Sequence, residues 1–495
     1  MGLVPGGIAM SWSLLRTGGL SAVCLLALGV ASCGDDDDLV SPDEVSRVVL
    51  TNRSVTPALV RSLVTGVDIY SLVGSDDVLP NSPSFRFGGS ADGSGLLKNA
   101  DGTFTALVNH EDNFAVSRVK FDSTFKPISG EYLVNSTAGK YRLCSATLVT
   151  PAEHGFGPLF LTAGESSEES QILGVDPNGA ANTPRYLTGL GRWNTENAVP
   201  LPKNAYSGKT VIILGDDDSG AEGGQVVLYV SNTVGDLDNG KIYVLARTND
   251  VTRERDMVIG QTYPVAFREI TGHTTMTGRQ LNQASATLKA IAFGRVEDLD
   301  YRKNGTGREV YFNVTGLNNT GVNADYGRSK YGRVYRITLD AADPLKGNLE
   351  LVMDGDDRSG PAKTFQNVDN IYVGENYVYV AEDDNGYGDE THDAYVYQYN
   401  IATKELKPVL VLDHRRTQSD ATIYNAVSPR PENKAGWEYG AMIDVSEQLG
   451  IANTFMLSIQ PHSWQGAKYQ AVDGGTVRPN EQQASQIVIV KGLPR

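Results

Sequence analysis

Apolar and polar positions alternate with a period of two in short runs along much of this chain, and glycine-rich or polar turns separate the runs. Sustained helical periodicity is scarce. One phrase recurs: an apolar strand ending in polar residues, a loop, then a small residue opening a second alternating strand. Val227-Leu228-Tyr229-Val230 leads to Gly240-Lys241-Ile242-Tyr243-Val244-Leu245. Glu309-Val310-Tyr311-Phe312-Asn313-Val314 leads to Gly332-Arg333-Val334-Tyr335-Arg336-Ile337, and Asn376-Tyr377-Val378-Tyr379-Val380 to Ala394-Tyr395-Val396-Tyr397-Gln398-Tyr399. In an extended strand Tyr377 and Tyr379 share one face, and Val378 and Val380 the other. Repeated antiparallel pairs without βαβ spacing predict an all-β fold. The pattern favours a β-propeller of six blades, with inserted loops, as a single domain over residues 51–495. A large sandwich or two packed β domains is the competing reading. In a propeller the inner strands converge on one axis, so acids distant in sequence meet there.

The start of the chain follows another pattern. Arg16 precedes an apolar stretch from Leu20 to Val30, and Val30-Ala31-Ser32-Cys33 resembles a bacterial lipobox. The stretch is short for a membrane span and ends in small residues, as a signal segment does. Residues 1–33 are therefore expected to be a lipoprotein signal acylated at Cys33, with residues 34–50, which hold Asp35 to Asp38, as a flexible acidic tether. An ordinary secretory signal is the alternative. Either reading places the protein outside the cytoplasm, on a bacterial membrane (outer membrane or cell surface) or in the periplasm or medium, with membrane contact only through the lipid.

Asp and Glu outnumber Lys and Arg by 59 to 43, a formal charge of −16. That argues against nucleic acid or an anionic lipid surface as partner. An anionic substrate requires bound cations that invert the local field. Several acids cluster after strand-like runs: Asp216-Asp217-Asp218, Asp354-Gly355-Asp356-Asp357 and Glu382-Asp383-Asp384. An acid after a strand ordinarily caps a turn or faces water. Once the leader is removed, Cys144 is the one thiol left, because Cys24 and Cys33 lie in the leader. It has no partner for an internal disulfide, which leaves a buried inert thiol, an intermolecular bond or a metal ligand. His110 lacks zinc-type spacing and reads as a hydrogen-bonded core residue. With six histidines, no Gly-x-Ser-x-Gly elbow and no phosphate-cradling Gly-x-x-x-x-Gly-Lys loop, a Ser-His-Asp hydrolase or P-loop enzyme fits poorly.

The order of these segments resembles the PhoX-type alkaline phosphatases and their relatives, from about Phe87 to Gln460. The resemblance is carried by Ala91-Asp92-Gly93, Asp101-Gly102-Thr103-Phe104 through Asn109-His110-Glu111, and Leu143-Cys144-Ser145-Ala146. Leu190-Gly191-Arg192, Gly215-Asp216-Asp217-Asp218, Asn239-Gly240-Lys241-Ile242-Tyr243, Arg295-Val296-Glu297-Asp298 and Thr454-Phe455-Met456-Leu457-Ser458-Ile459-Gln460 complete it. The resemblance implies a six-bladed propeller whose channel holds a mixed iron and calcium cluster (Fe3+ and Ca2+) and hydrolyses small phosphomonoesters; a monomer is expected. On this reading Glu111, Cys144, Glu165, Asp216, Asp217, Glu297 and Glu382 hold metal, Arg295 grips phosphate, and Asn109 supplies a substrate-side amide. Thiolate and carboxylate suit iron, and oxygen donors suit calcium.

The wording departs from the family pattern in four places. Ser145-Ala146-Thr147 replaces a glycine pair after the cysteine, and Glu165-Ser166 a double acid. Val296 replaces the proline after the arginine, and Pro461-His462 inverts a closing His-Pro. These departures bear more on activity than on fold or metal binding. Two alternatives to the iron-calcium phosphatase follow: a calcium-stabilised propeller that binds without turnover, and a phytase-like hydrolase using calcium alone. Only the iron-calcium reading gives Cys144 a task.

Overall fold

The computed structural model describes residues 47–383, 386–427 and 436–495. The signal segment, Cys33 and most of the tether lie outside the described residues. So does Asp384. Every strand pairing is antiparallel, and six four-stranded meanders follow one another along the chain. Their innermost strands are Ala91–Lys98, Leu143–Val149, Thr195–Pro200, Val296–Tyr301, Val368–Val373 and Glu438–Asp444. Each touches the next, and the sixth touches the first, so the six form a closed ring around one axis.

Three connections break the regularity. Thr262–Glu269 adds an outer strand to the third meander and pairs with Lys346–Asp354 of the fourth, fusing the two into a nine-stranded sheet. Val60–Ser62 adds an outer strand to the fifth meander. The outermost strand of the sixth, Asp68–Gly74, comes from the start of the body and pairs with Gln486–Lys491 near the chain end. This pairing ties the two ends of the ring together and covers an otherwise open edge.

Alternation along each strand has a direct packing consequence, because each sheet is buried on both faces. Tyr377 and Tyr379 pack toward the sixth meander, with Phe455 and Leu457. Val378 and Val380 pack toward the fourth, with Val334 and Met353. Among the described residues, six apolar clusters fill the spaces between neighbouring meanders, the last closing the sixth on the first through Leu72, Met456, Leu96 and Phe104. Each large side chain so buried contributes roughly 1.5–3 kcal/mol. Val48 and Leu50, assigned to the tether in the sequence reading, pack against that last cluster, so the body begins a few residues before position 51.

A β-bulge recurs at one end of every inner strand. Two residues oppose one on the neighbouring strand at Asp92-Gly93, Cys144-Ser145, Glu196-Asn197, Glu297-Asp298, Asp369-Asn370 and Gly440-Ala441. A bulge releases a residue from the ladder and re-aims its side chain. The first residue of five of these pairs is an acid or the cysteine. The repetition therefore delivers potential ligands to the same level of the axis.

Candidate functional site

The bulge residues assemble into overlapping groups. Asp92, Cys144 and Glu196 offer ligand atoms within 4.8 Å of one another, as do Glu196, Glu297 and Asp369. The ends of the second strands complete the assembly. Glu111 and Glu165 join Cys144 within the same limit, and Asp383 joins Asp369 and Glu438. Second members of the bulges cross-link the ring: Asn370 donates to Ser145 Oγ at 2.7 Å, and Asn197 donates to Asp298 Oδ1 at 2.6 Å. Glycine is required at one such point. A Cβ on Gly93 would stand 2.4 Å from the Ala146 nitrogen, so the first and second inner strands approach closely beside Asp92 and Cys144 only without a side chain there.

The electrostatics are one-sided. Among the described residues the groups hold eight carboxylates and one thiol, and the guanidiniums of Arg142 and Arg295 are in ion-pair contact with them. Burial pushes the Cys144 thiol well above its ordinary range, and Glu111, Glu165, Glu196 and Asp92 push it further. Burial likewise raises Asp92, Glu165, Glu196, Glu297, Asp369 and Glu438, reinforced by mutual repulsion. Asp369 Oδ1 is buried without a hydrogen-bond partner among the described residues. Buried anions at this density demand protons or cations. A thiolate among convergent carboxylates is a donor set that fits both a transition metal and calcium.

Arg295 stands over one side of this assembly with φ +70°, in the left-handed region that non-glycine residues rarely occupy. Its Nε lies 2.7 Å from Asp217 Oδ1, and its Nη2 lies 3.0 Å from Glu297 Oε1. Arg142 reaches Glu111 and Asp112 at 3.3 Å each. Both arginines line a cavity of about 880 Å3 together with Glu165, Asn194 and Asp217. Asn194 places Asp217 by donating its amide to the Asp217 carbonyl at 3.1 Å. The helix Gly278–Thr287, closed at its start by a reciprocal Thr277–Gln280 cap, holds the neighbouring Asp218 through Asn282 at 2.9 Å.

Of the residues singled out in the sequence, Glu111, Cys144, Glu165 and Glu297 meet in these groups, with Asp217 and Arg295 at their edge. Asp216 is fully buried beside them, its Oδ1 accepting from the Asn194 backbone at 3.1 Å. Glu382 lies outside the groups: it accepts from the Gln366 and Tyr395 backbone amides at 2.8 Å, and from His392 at 3.0 Å. The neighbouring Asp383 converges in its place. Asn109 sits opposite the first bulge, where its amide donates to the Cys144 carbonyl and accepts from Thr162 Oγ1 at 3.0 Å. It is not among the residues lining the cavity; it fixes the cysteine backbone. His110 takes the core role expected, bonded to Ser117 Oγ at 2.8 Å and fully buried.

Glu196, Glu438 and Arg142 escaped the sequence reading, whereas Asp92, Asp369 and Asp383 lie in segments it singled out without being assigned to the site. Five of the six inner strands carry an acid or thiol followed by a small or polar residue near their start, and that repeated phrase was the available signal. Glu438 precedes its bulge instead, and its Oε1 bonds His462 Nε2 at 2.8 Å.

The fold and the site together define a propeller-like protein with a buried acid-thiol centre beneath an arginine-lined cavity. The family model described as alkaline phosphatase PhoX matches residues 128–429, and the chain belongs to that family. Its structure is similar to Pseudomonas fluorescens PhoX in complex with vanadate, a transition-state analogue, with a TM-score of 0.59 at 13% identity over 90% of this chain and 98% of that one. An α-L-arabinofuranosidase from Fusarium graminearum matches at a TM-score of 0.35 and 10% identity, over 85% of this chain and 97% of that one. No curated protein sequence matches the chain.

Proposed function

We propose that this chain is an exported, metal-dependent phosphomonoesterase built on a six-bladed propeller and anchored by a lipid at Cys33. The observation that carries the reading is Arg295, poised over Asp217 and Glu297 at the edge of eight buried carboxylates and the Cys144 thiol. Membership of the PhoX alkaline phosphatase family supports the same chemistry. Cys144 with Asp92, Glu111, Glu165 and Glu196 would hold iron, and the all-oxygen groups around Asp369 would hold calcium. When bound, these cations would draw in phosphate and lower the pKa of a water molecule so that it can serve as nucleophile.

The chain's own residues do the remaining work. Arg295 exchanges a carboxylate oxygen for a phosphoryl oxygen, and its planar donors stabilise charge on the equatorial oxygens as the ester bond breaks. Asp217 and Glu297 hold that guanidinium in aim before substrate arrives. Asn109 keeps the Cys144 backbone in place, which fixes the thiol direction. Arg142, on the same cavity, balances Glu111 and Asp112 and meets the incoming dianion.

The test is metal content and turnover measured on one preparation. Stoichiometric iron and calcium, with phosphate release from simple phosphomonoesters that a chelator abolishes, supports the proposal. Turnover with calcium alone would favour the phytase-like reading. Metal without turnover would leave a binding protein. Labelling with radioactive palmitate in a bacterial host, lost in Cys33→Ala, tests the anchor.

A further inference from the structure

The cavity has a second character beyond its arginine floor. At about 880 Å3 it lies within the roughly 300–1,000 Å3 typical of small-molecule sites, well beyond what a phosphate group fills. Phe114, Leu317, Val322 and Tyr387 also line it. Val322 is 52% exposed, a large apolar side chain facing solvent at the cavity. Asn318, Thr320 and Gly321 line it as well, so the segment from 317 to 322 brings no charged side chain to the cavity.

Phe114 makes the arrangement specific. It closes the turn after Glu111 at φ +56°, a left-handed conformation that is unfavourable for a bulky residue. A glycine or asparagine would form this turn more easily, yet an aromatic ring stands there beside the arginine floor. The cations stacked on the two aromatic rings are already paired. Arg478 lies 5.0 Å from the Phe114 ring centre and bonds Glu481 at 2.8 Å. Lys330 lies 5.6 Å from the Tyr387 ring centre and bonds Asp389 at 2.9 Å. A second anionic group on the alcohol would therefore meet Glu165, neutral side chains or neutralised cations.

We infer that the site selects phosphomonoesters of uncharged, apolar alcohols with a flat face, seated against Phe114 and Tyr387, over esters of polyols or alcohols bearing further anions. This rests on the phosphatase reading above. The phosphoryl group sits on the arginine floor and the alcohol lies on the neutral wall, where burial of an apolar face favours binding.

Benzyl phosphate, glycerol 1-phosphate and fructose 1,6-bisphosphate are suitable probes. Their leaving groups are alkoxides of comparable basicity, so binding rather than bond strength separates them. Benzyl phosphate is expected to have a kcat/KM at least tenfold above the other two. Phe114→Ala and the exposed Val322→Ser are each expected to lower kcat/KM for benzyl phosphate several-fold more than for glycerol 1-phosphate. Equal kcat/KM for the three esters, or equal losses in both variants, would overturn the inference. Calorimetry with benzylphosphonate and methylphosphonate keeps the question separate from turnover. Tighter binding of the benzyl compound, reduced in the two variants, supports selection even in a protein that turns nothing over. Equal affinity, or no binding of either compound, overturns it.

Discussion

The Cys144 Sγ donates to Glu165 Oε2 at 2.9 Å, joining the bulge of the second inner strand to the end of the strand beside it. The thiol is buried, and its surroundings are acids rather than the apolar packing an inert cysteine prefers. A soft donor fixed against hard donors distinguishes this group from the all-oxygen groups around Asp369. On the proposed iron and calcium loading, Cys144→Ala is expected to lose iron while retaining calcium, with a thermal midpoint close to wild type when both are stripped of metal. Elemental analysis with a melting curve checks this. Full iron retention would remove the thiol from the metal site.

Removal of metal should weaken the protein more at higher pH. Burial and mutual repulsion raise Glu165, Glu196, Asp369 and Glu438 well above the ordinary carboxylate range. Their folded pKa values exceed the unfolded values near 4, so the folded state binds more protons than the unfolded one between the two. The stability linked to those protons is complete below about pH 4 and is lost as pH rises through the folded values. Cations substitute for the missing protons. The difference in thermal midpoint between loaded and chelator-stripped protein should widen from pH 5 to pH 8. A difference that stays constant or narrows would contradict the charge balance inferred here.

The strand pairs were legible because period-two alternation of Tyr and Val over Tyr377–Glu382 encodes two buried faces, and both are buried, against different neighbours. The closure was not legible. Asp68–Gly74 and Gln486–Lys491 lie at opposite ends of the chain, and no local pattern in either names its partner. The sequence pointed to Glu165 and Asp217 because both sit at strand ends, Asp217 within an acidic run and Glu165 at a position where the family resemblance implies a ligand. Asp92, Glu196 and Asp369 were not assigned as ligands because each is a single acid near the start of an apolar strand. Only the bulge, a property of the pairing rather than of the strand itself, turns them toward the axis. The run at Glu382 shows the converse: one carboxylate accepts from local amides while its neighbour Asp383 converges with Asp369 and Glu438.

Arg295 should tolerate neither removal nor shortening. Its donors meet Asp217 through two atoms, at 2.7 and 3.0 Å, so the guanidinium plane is set before substrate binds. Arg295→Ala is expected to lower kcat about 10²–10³-fold, the usual cost of losing a donor aimed at transition-state charge. Lysine, a point charge without the planar fork, should restore little of it. Metal content should be unchanged in both variants. Activity within a few-fold of wild type in Arg295→Ala would take this side chain out of the chemistry.

Asp298 offers a test of how the ring is held at the level of the site, independent of turnover. It is the second residue of the fourth bulge and accepts from Asn197 Nδ2 at 2.6 Å, from the Leu299 amide at 2.7 Å and from the Ile371 amide at 3.0 Å. One buried carboxylate thus joins the third, fourth and fifth inner strands. Burial nonetheless raises it to about 7, with the three hydrogen bonds pulling the other way. Truncation strands a buried amide on each neighbour, and each unsatisfied group costs about 1–3 kcal/mol. Asp298→Ala should therefore lower the unfolding free energy by roughly 2–5 kcal/mol, and Asn197→Ala by less. Because they share one bond, the double variant should fall short of the sum by about 0.5–3 kcal/mol. Urea unfolding of the four proteins, all stripped of metal, measures the coupling. Strict additivity would mean that neighbouring meanders are held together by their apolar cores alone, and that the polar ring serves only to aim the ligands.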